Sequence, residues 1–164
     1  MQLAGHIDKA ESLEATLLAW CRENPNIGEG HRATMRAISN IATLRSAKGQ
    51  HESADEMWRH VLDIDEWFRG KEHPITLHSK RNVTIECVKL GNLEEAESLL
   101  REVLDVGERV LWREHPDTLV TMEHLAGVLY MTGEVYEALE LQEECLVGRV
   151  HGLGGRPPPY CQDQ

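Results

Sequence analysis

A self-similarity at a shift of 42 residues constrains this chain more than any other feature. Glu72-His73-Pro74-Ile75-Thr76-Leu77 returns as Glu114-His115-Pro116-Asp117-Thr118-Leu119, with His73 and His115 42 residues apart. The same shift carries Gly91 to Gly133, Glu95 to Glu137 and Ala96 to Ala138. Run backward, it sets His31, Thr34, Met35, Asn40, Gly49 and Ala54 against His73, Thr76, Leu77, Asn82, Gly91 and Ala96. A sequence of this kind repeats one supersecondary unit, and such units stack on their neighbours instead of closing around one central core. Three units are expected, at about 28–70, 71–112 and 113–148.

Each unit reads as two helices. In the first helix of the third unit, Leu119, Met122, Leu125, Ala126 and Leu129 recur at the spacing of one helical face. Leu77, Val83, Thr84 and Cys87 continue that stripe in the second unit, and Met35, Ile38, Ile41 and Ala42 in the first. Pro74 and Pro116 sit where a helix starts, and Thr76, Asp117 and Thr118 follow with side-chain oxygens expected to cap the first turn. Gly49, Gly91 and Gly133 are expected to end the first helices. The second helices align Ala54, Met57, Val61 and Leu62 with Ala96, Leu99, Val103 and Leu104, and with Ala138, Leu141, Cys145 and Leu146. A small residue at one fixed place lets the two helices of each hairpin approach closely. Residues 1–27 are expected to hold a capping helix from a partial repeat, over Asp8 to about Arg22, and then a loop. Residues 149–164, rich in Gly and Pro, are expected to form a disordered tail, so that the array either ends there or the chain is truncated.

Charge narrows the function. The 164 residues carry 17 Lys+Arg against 28 Asp+Glu, a net charge of -11, the wrong sign for a nucleic-acid or anionic-lipid surface. Neither a basic leader with an apolar run nor a membrane-length apolar stretch is present, and Cys21, Cys87, Cys145 and Cys161 form no C-x-x-C pair. The expected compartment is the cytoplasm, with no cofactor and no metal.

The Gly-x-x-x-Glu-Ala-Glu run at Gly91 to Glu97, the Glu-Arg-Val-Leu run at Glu108 to Leu111 and the Glu-His-Pro-Asp-Thr-Leu run at Glu114 to Leu119 recur in phase. In this they resemble tetratricopeptide repeats of the kinesin light chain type, whose hairpins exceed the common form of about 34 residues. The resemblance implies an all-α, right-handed α-α superhelix, a solenoid of helical hairpins, that works as a protein-protein interaction scaffold. It also implies a concave groove, lined by first helices, that takes a peptide segment of a partner. Related arrays often follow a nucleotide-binding domain of the NACHT or NB-ARC kind, so a self-associating fragment or a sensor module of such a signalling protein is the alternative. No phosphate-binding Gly-x-x-x-x-Gly-Lys-Ser/Thr loop occurs in this chain.

By that resemblance the groove residues are Arg36, Ser39, Asn40 and Thr43 in the first unit, Arg81, Asn82 and Ile85 in the second, and Glu123, His124 and Gly127 in the third. A carboxamide offers both donor and acceptor, so Asn40 and Asn82 can grip an extended backbone, or equally a neighbouring helix or water. Arg36 and Arg81 suit an acidic peptide, or else a solvated surface. His31, His73 and His115 recur at the junctions between units, which assigns them to the turn and not to chemistry, because a catalytic histidine is needed once. No nucleophile elbow or His-Glu-x-x-His helix is present, and no catalytic residue is expected. Arg45, Lys80 and Gln142 are expected as polar intrusions into the apolar stripes. Leu141, Cys145 and Leu146, with no further helix to cover them, are expected as an edge for a homodimer.

Overall fold

The computed structural model describes residues 32–153, together with Ser12, Thr16 and Ala19. Of the expected capping helix only Ser12, Thr16 and Ala19, all helical, are described, and the rest of it, the turn at His31 and residues 154–164 of the expected tail lie outside the described residues. Over residues 32–153 six helices follow one another: α1 Arg32–Ala47, α2 His51–Arg69, α3 Pro74–Lys89, α4 Leu93–Val110, α5 Pro116–Thr132 and α6 Val135–Leu153. The fold class is all-α, a series of helical hairpins of the solenoid type, as the 42-residue period implies. α6 runs five residues past the boundary expected at 148. Among the described residues no helix is long and apolar enough to cross a membrane.

The helix starts differ from expectation in their chemistry. Pro74 and Pro116 open α3 and α5, but the cap is the preceding histidine: His73 Nδ1 accepts from the Ile75 N–H and His115 Nδ1 from the Asp117 N–H, each at 3.1 Å. An accepting Nδ1 places the ring proton on Nε2. The threonines expected as caps turn inward instead. Thr76 is buried and its Oγ1 donates to the Asp65 carbonyl at 3.4 Å, and Thr118 is 2% exposed. The turn role read for the recurring histidines holds at His73 and His115. Gly49, Gly91 and Gly133 all take positive φ just past the first helices, and Gly133 closes α5 in the left-handed region.

Two compact units are present, residues 1–90 and 91–164. In the first, α1 packs on α2 and α2 on α3. Met35, Ile38, Ile41 and Ala42 of α1 and Leu77, Val83 and Cys87 of α3 are buried, as their period predicts. On α2 the buried line is Ala54, Trp58, Val61 and Asp65, whereas Met57 and Leu62 are only half-buried. A second helix flanked on both sides buries the arc where its neighbours converge, and that arc runs through Trp58.

The junction of α2 with α3 is polar. Asp65 is 2% exposed and accepts from Ser79 Oγ at 2.6 Å and from Arg69. Lys80 is likewise buried, with Nζ 3.6 Å from Glu66, and the Arg45 guanidinium reaches Ser53. Glu86 gathers three elements: it accepts from Ser46 of α1 at 2.7 Å and Lys89 of α3 at 3.0 Å, and lies 3.0 Å from His51 Nδ1 of α2. Burial pushes its carboxyl pKa up, but the hydrogen bonds from Ser46, Lys89 and His51 and the Lys89 charge outweigh that and hold it below the ordinary 4.5.

In the second unit α4 packs on α5 and α5 on α6. Leu119, Met122, Leu125, Ala126 and Leu129 are buried as expected, and α4 buries Ala96, Leu100 and Val103 where Leu99 was the aligned residue. Gly148 is buried against Leu119: a Cβ there would lie 2.8 Å from Leu119 Cδ2, so any side chain at that position would make the Leu119 side chain shift. The Cys145 thiol donates to the Leu119 carbonyl at 3.4 Å, and burial, then the Glu123 charge, raises its pKa. Arg101 grips Glu137 through both nitrogens, at 2.8 and 3.1 Å, which joins α4 to α6 on the surface. Gln142 is no intrusion, since it stands exposed on α6.

Trp112 takes φ +79° at the position that the 42-residue shift assigns to Gly70, where φ is +86°. An L-residue in this region is strained by about 1 kcal/mol. The indole edge meets the His115 ring at 4.8 Å and 82°, a contact that offsets the strain. Trp112→Gly relieves the strain while losing that contact, so chemical denaturation should place it within about 1 kcal/mol of wild type. Trp112→Ala loses the contact and keeps the strain that wild type also carries, and should cost about 0.5–1.5 kcal/mol in the same measurement.

Because the Glu86 pKa is lowered on folding, its contribution is present above 4.5 and is lost as pH falls through the lower folded value. Thermal melts should show Glu86→Gln less stable than wild type at neutral pH by about 1–3 kcal/mol. The variant should also lose less of its stability than wild type between pH 5 and acid, as far as about pH 3.

Candidate functional site

The residues a first helix does not bury define the face it offers. α1 buries Thr34, Met35, Ala37, Ile38, Ile41 and Ala42, which leaves Arg36, Asn40, Thr43 and Ala47 in one outward line with Ser39 at its edge. α3 buries the same offsets, and its line is His78, Asn82, Ile85 and Lys89 with Arg81 at the edge. Residues at these separations share one helical face. Lys89 donates to Ser46 and Ser46 to Glu86, so the C-terminal ends of α1 and α3 are tied together within the first unit.

The expected residues Arg36, Ser39, Asn40, Thr43, Arg81, Asn82 and Ile85 therefore all lie on the outward arcs of these two helices. Their hydrogen bonding is uneven. Ser39 Oγ donates to the Met35 carbonyl and Thr43 Oγ1 to the Ser39 carbonyl, each at 2.9 Å, so both hydroxyls serve their own helix. The Asn82 amide nitrogen lies 3.1 Å from His78 Nδ1. His78 and Lys89 belong to the face although sequence reasoning passed them over; the 42-residue shift applied to Arg36 and Ala47 lands on them. The same shift equates Arg36 with His78 and Arg81 with Ser39, so the two arginines hold different places on the face.

Charge separates by helix. α1 holds Arg32, Arg36 and Arg45 and no carboxylate, and the only acid of α3 is the buried Glu86, set against Lys80, Arg81 and Lys89. α2, in contrast, carries Glu52, Asp55, Glu56, Asp63, Asp65 and Glu66. On a chain of net charge -11, the first-helix face of the first unit is cationic.

In the second unit the equivalent line on α5 is Val120, His124, Gly127 and Met131, with Glu123 at its edge. Glu123 is held by Arg149 at 2.5 Å, and His124 is half-buried. α5 has no Lys or Arg, so this face is apolar and acidic. Among the described residues, no group of three or more His, Cys, Asp or Glu is disposed to hold a metal ion.

The model of the tetratricopeptide repeat family matches residues 33–109 and 84–146. No curated protein sequence matches the chain. Among solved structures, two forms of a Podosopora anserina protein described as kinesin light chain nearly identical TPR-like repeats are similar to it. One form, a point variant, has a TM-score of 0.80 at 24% identity, over 93% of this chain and 71% of that one. The other has a TM-score of 0.77 at 25% identity, over 95% and 72%. BtubC (BKLC) from P. vanneervenii gives a TM-score of 0.79 at 23% identity; 92% of this chain spans 58% of that one.

Gly127 is helical and exposed, with open space where a Cβ would stand. Gly127→Ala should raise stability by about 0.5–1 kcal/mol through helix propensity, read as an increased denaturant midpoint at unchanged slope.

Proposed function

Since the chain belongs to the tetratricopeptide repeat family, whose repeats mediate protein-protein interactions, we propose that the first-helix face of its first unit holds an acidic, extended peptide segment of a partner protein. The observation that carries this is the charge partition. On α1 and α3 Arg36 is exposed, Arg81 is half-buried and Lys89 is exposed while paired with Glu86, and no carboxylate is exposed among them, although the chain has 28 acids. Asn40 and Asn82 recur on the same face, and each carboxamide can donate to a peptide carbonyl and accept from a peptide N–H whatever the side chains. The arginines then select carboxylates, as charge-assisted bonds are stronger than neutral ones. Shape and charge are the whole of the activity, and no group is assigned a catalytic step.

The test is selection from a random displayed-peptide pool. Asp- and Glu-rich sequences should be enriched, and the selected peptides should bind at least about tenfold more weakly to Arg36→Glu/Arg81→Glu, with a marked loss on raising salt. Asn40→Ala/Asn82→Ala should lose capture of these peptides while its circular dichroism stays that of wild type. Equal enrichment of basic or apolar peptides would refute the charge argument, and capture retained by the double-asparagine variant would refute the backbone grip.

A further inference from the structure

α6 exposes an apolar line on the face that α2 uses for helix packing. Val135, Leu139, Leu146 and Val150 are 39%, 51%, 65% and 59% exposed. Two 42-residue shifts set them at the positions of His51, Asp55, Leu62 and Glu66. α2 turns that face to α3: His51 meets Glu86, Glu66 meets Lys80, and Arg59 donates to Cys87 Sγ at 3.4 Å. α6 thus has the helix-facing side of a second helix with its polar partners replaced by aliphatic ones. A helix with the chemistry of α3 does not fit there, since Lys80 and Glu86 would be buried against valines with no countercharge. The occupant must be apolar at matching heights.

The spacing of the line names such an occupant. The intervals from Val135 to Leu139, Leu146 and Val150 are four, seven and four residues, and they read the same from either end. Two copies of α6 laid antiparallel about a two-fold axis therefore bring Val135 against Val150 of the second copy and Leu139 against its Leu146, with Gln142 at the centre. Exposed Tyr136 and Val147 extend the apolar contact to one side. Charge favours the same direction. Glu137, Glu140, Glu143 and Glu144 occupy the first and middle turns of α6 and Arg149 the last, with Glu137, Glu144 and Arg149 already paired to Arg101, Arg113 and Glu123; a parallel pair would set both Glu140 and Glu143 on their own copies, whereas an antiparallel pair does so only for Glu143. Glu143 falls beside the axis and opposes its own copy.

We propose that the outer face of α6 is a self-association surface, pairing two copies of this chain antiparallel through Val135, Leu139, Leu146 and Val150. The contact uses none of the residues of the peptide-binding face, so either proposal can fail without the other. Sedimentation velocity on the full chain over roughly 1–200 µM should show a monomer-dimer equilibrium. Leu146→Glu should raise the dissociation constant at least about tenfold, and Glu143→Gln should lower it. Leu146 is exposed, so circular dichroism of Leu146→Glu should remain that of wild type.

Register is read by oxidation in a background with Cys21→Ser and Cys161→Ser. Gln142→Cys should form a disulfide-linked dimer by itself, and a mixture of Leu139→Cys with Leu146→Cys should cross-link. Leu139→Cys alone should not, because the two copies of residue 139 would be separated by about 10 Å along the axis. A monomer throughout the concentration range, a dimer indifferent to Leu146→Glu, or self-cross-linking of Leu139→Cys would each overturn the proposal.

Discussion

Within each unit, an alanine four residues into a second helix sits at the centre of the packing. Ala54, Ala96 and Ala138 are sealed, at 0%, 0% and 2% exposure, and each donates its N–H back to the residue before the helix. So small a side chain lets α2 lie close on α1 and α6 close on α5, and the buried offsets of those pairs follow. Once those offsets are set, the outward line on each first helix is set as well, and with it the surface available to a partner. Packing in the hairpin and the layout of the candidate site are consequences of one steric constraint.

That frame is filled with different chemistry at different junctions. Asp65 with Ser79, and Glu86 with Ser46, His51 and Lys89, make the first unit polar inside. The 42-residue shift places Gly107 and Val128 at the positions of Asp65 and Glu86, so the second unit has a small and apolar equivalent. Buried ionic groups of this kind add little net stability but penalise any arrangement that leaves them unpaired, which ties α1, α2 and α3 to one register. Surface pairs such as Arg101 with Glu137 carry about 1 kcal/mol or less and act as trim on that arrangement.

The hairpin plan, the buried lines of α1, α3 and α5 and the glycine stops were legible in the sequence because they rest on period and on backbone conformation, both local properties. The helix caps were misjudged for a physical reason. Thr76 and Thr118 are good capping residues in isolation, but here the first turn presses them into the neighbouring helix and leaves the ring nitrogens of His73 and His115 beside the free amides. The second helices were misaligned by one position, Met57 for Trp58 and Leu99 for Leu100, because a helix buried between neighbours has a wide apolar arc whose deepest line depends on where they lie. Gln142 was counted as an intrusion into a face that is exposed. At the candidate site the asparagines and arginines were found, whereas His78 and Lys89 were missed, although the repeat shift alone would have reached them.

By itself the sequence determined the repeat, the all-α hairpin class, the -11 charge and the residue types at each equivalent position. These are properties of order along the chain, and a strict period makes them readable. Only the tertiary structure decided which of those residues are spent. Burial of Glu86 removes the single acid of α3 from the surface, the helix backbone takes the Ser39 and Thr43 hydroxyls, and Arg149 takes Glu123. Charge and hydrogen-bonding capacity become available to a partner only when no neighbour in space has claimed them, and neighbours in space are what a linear order does not specify.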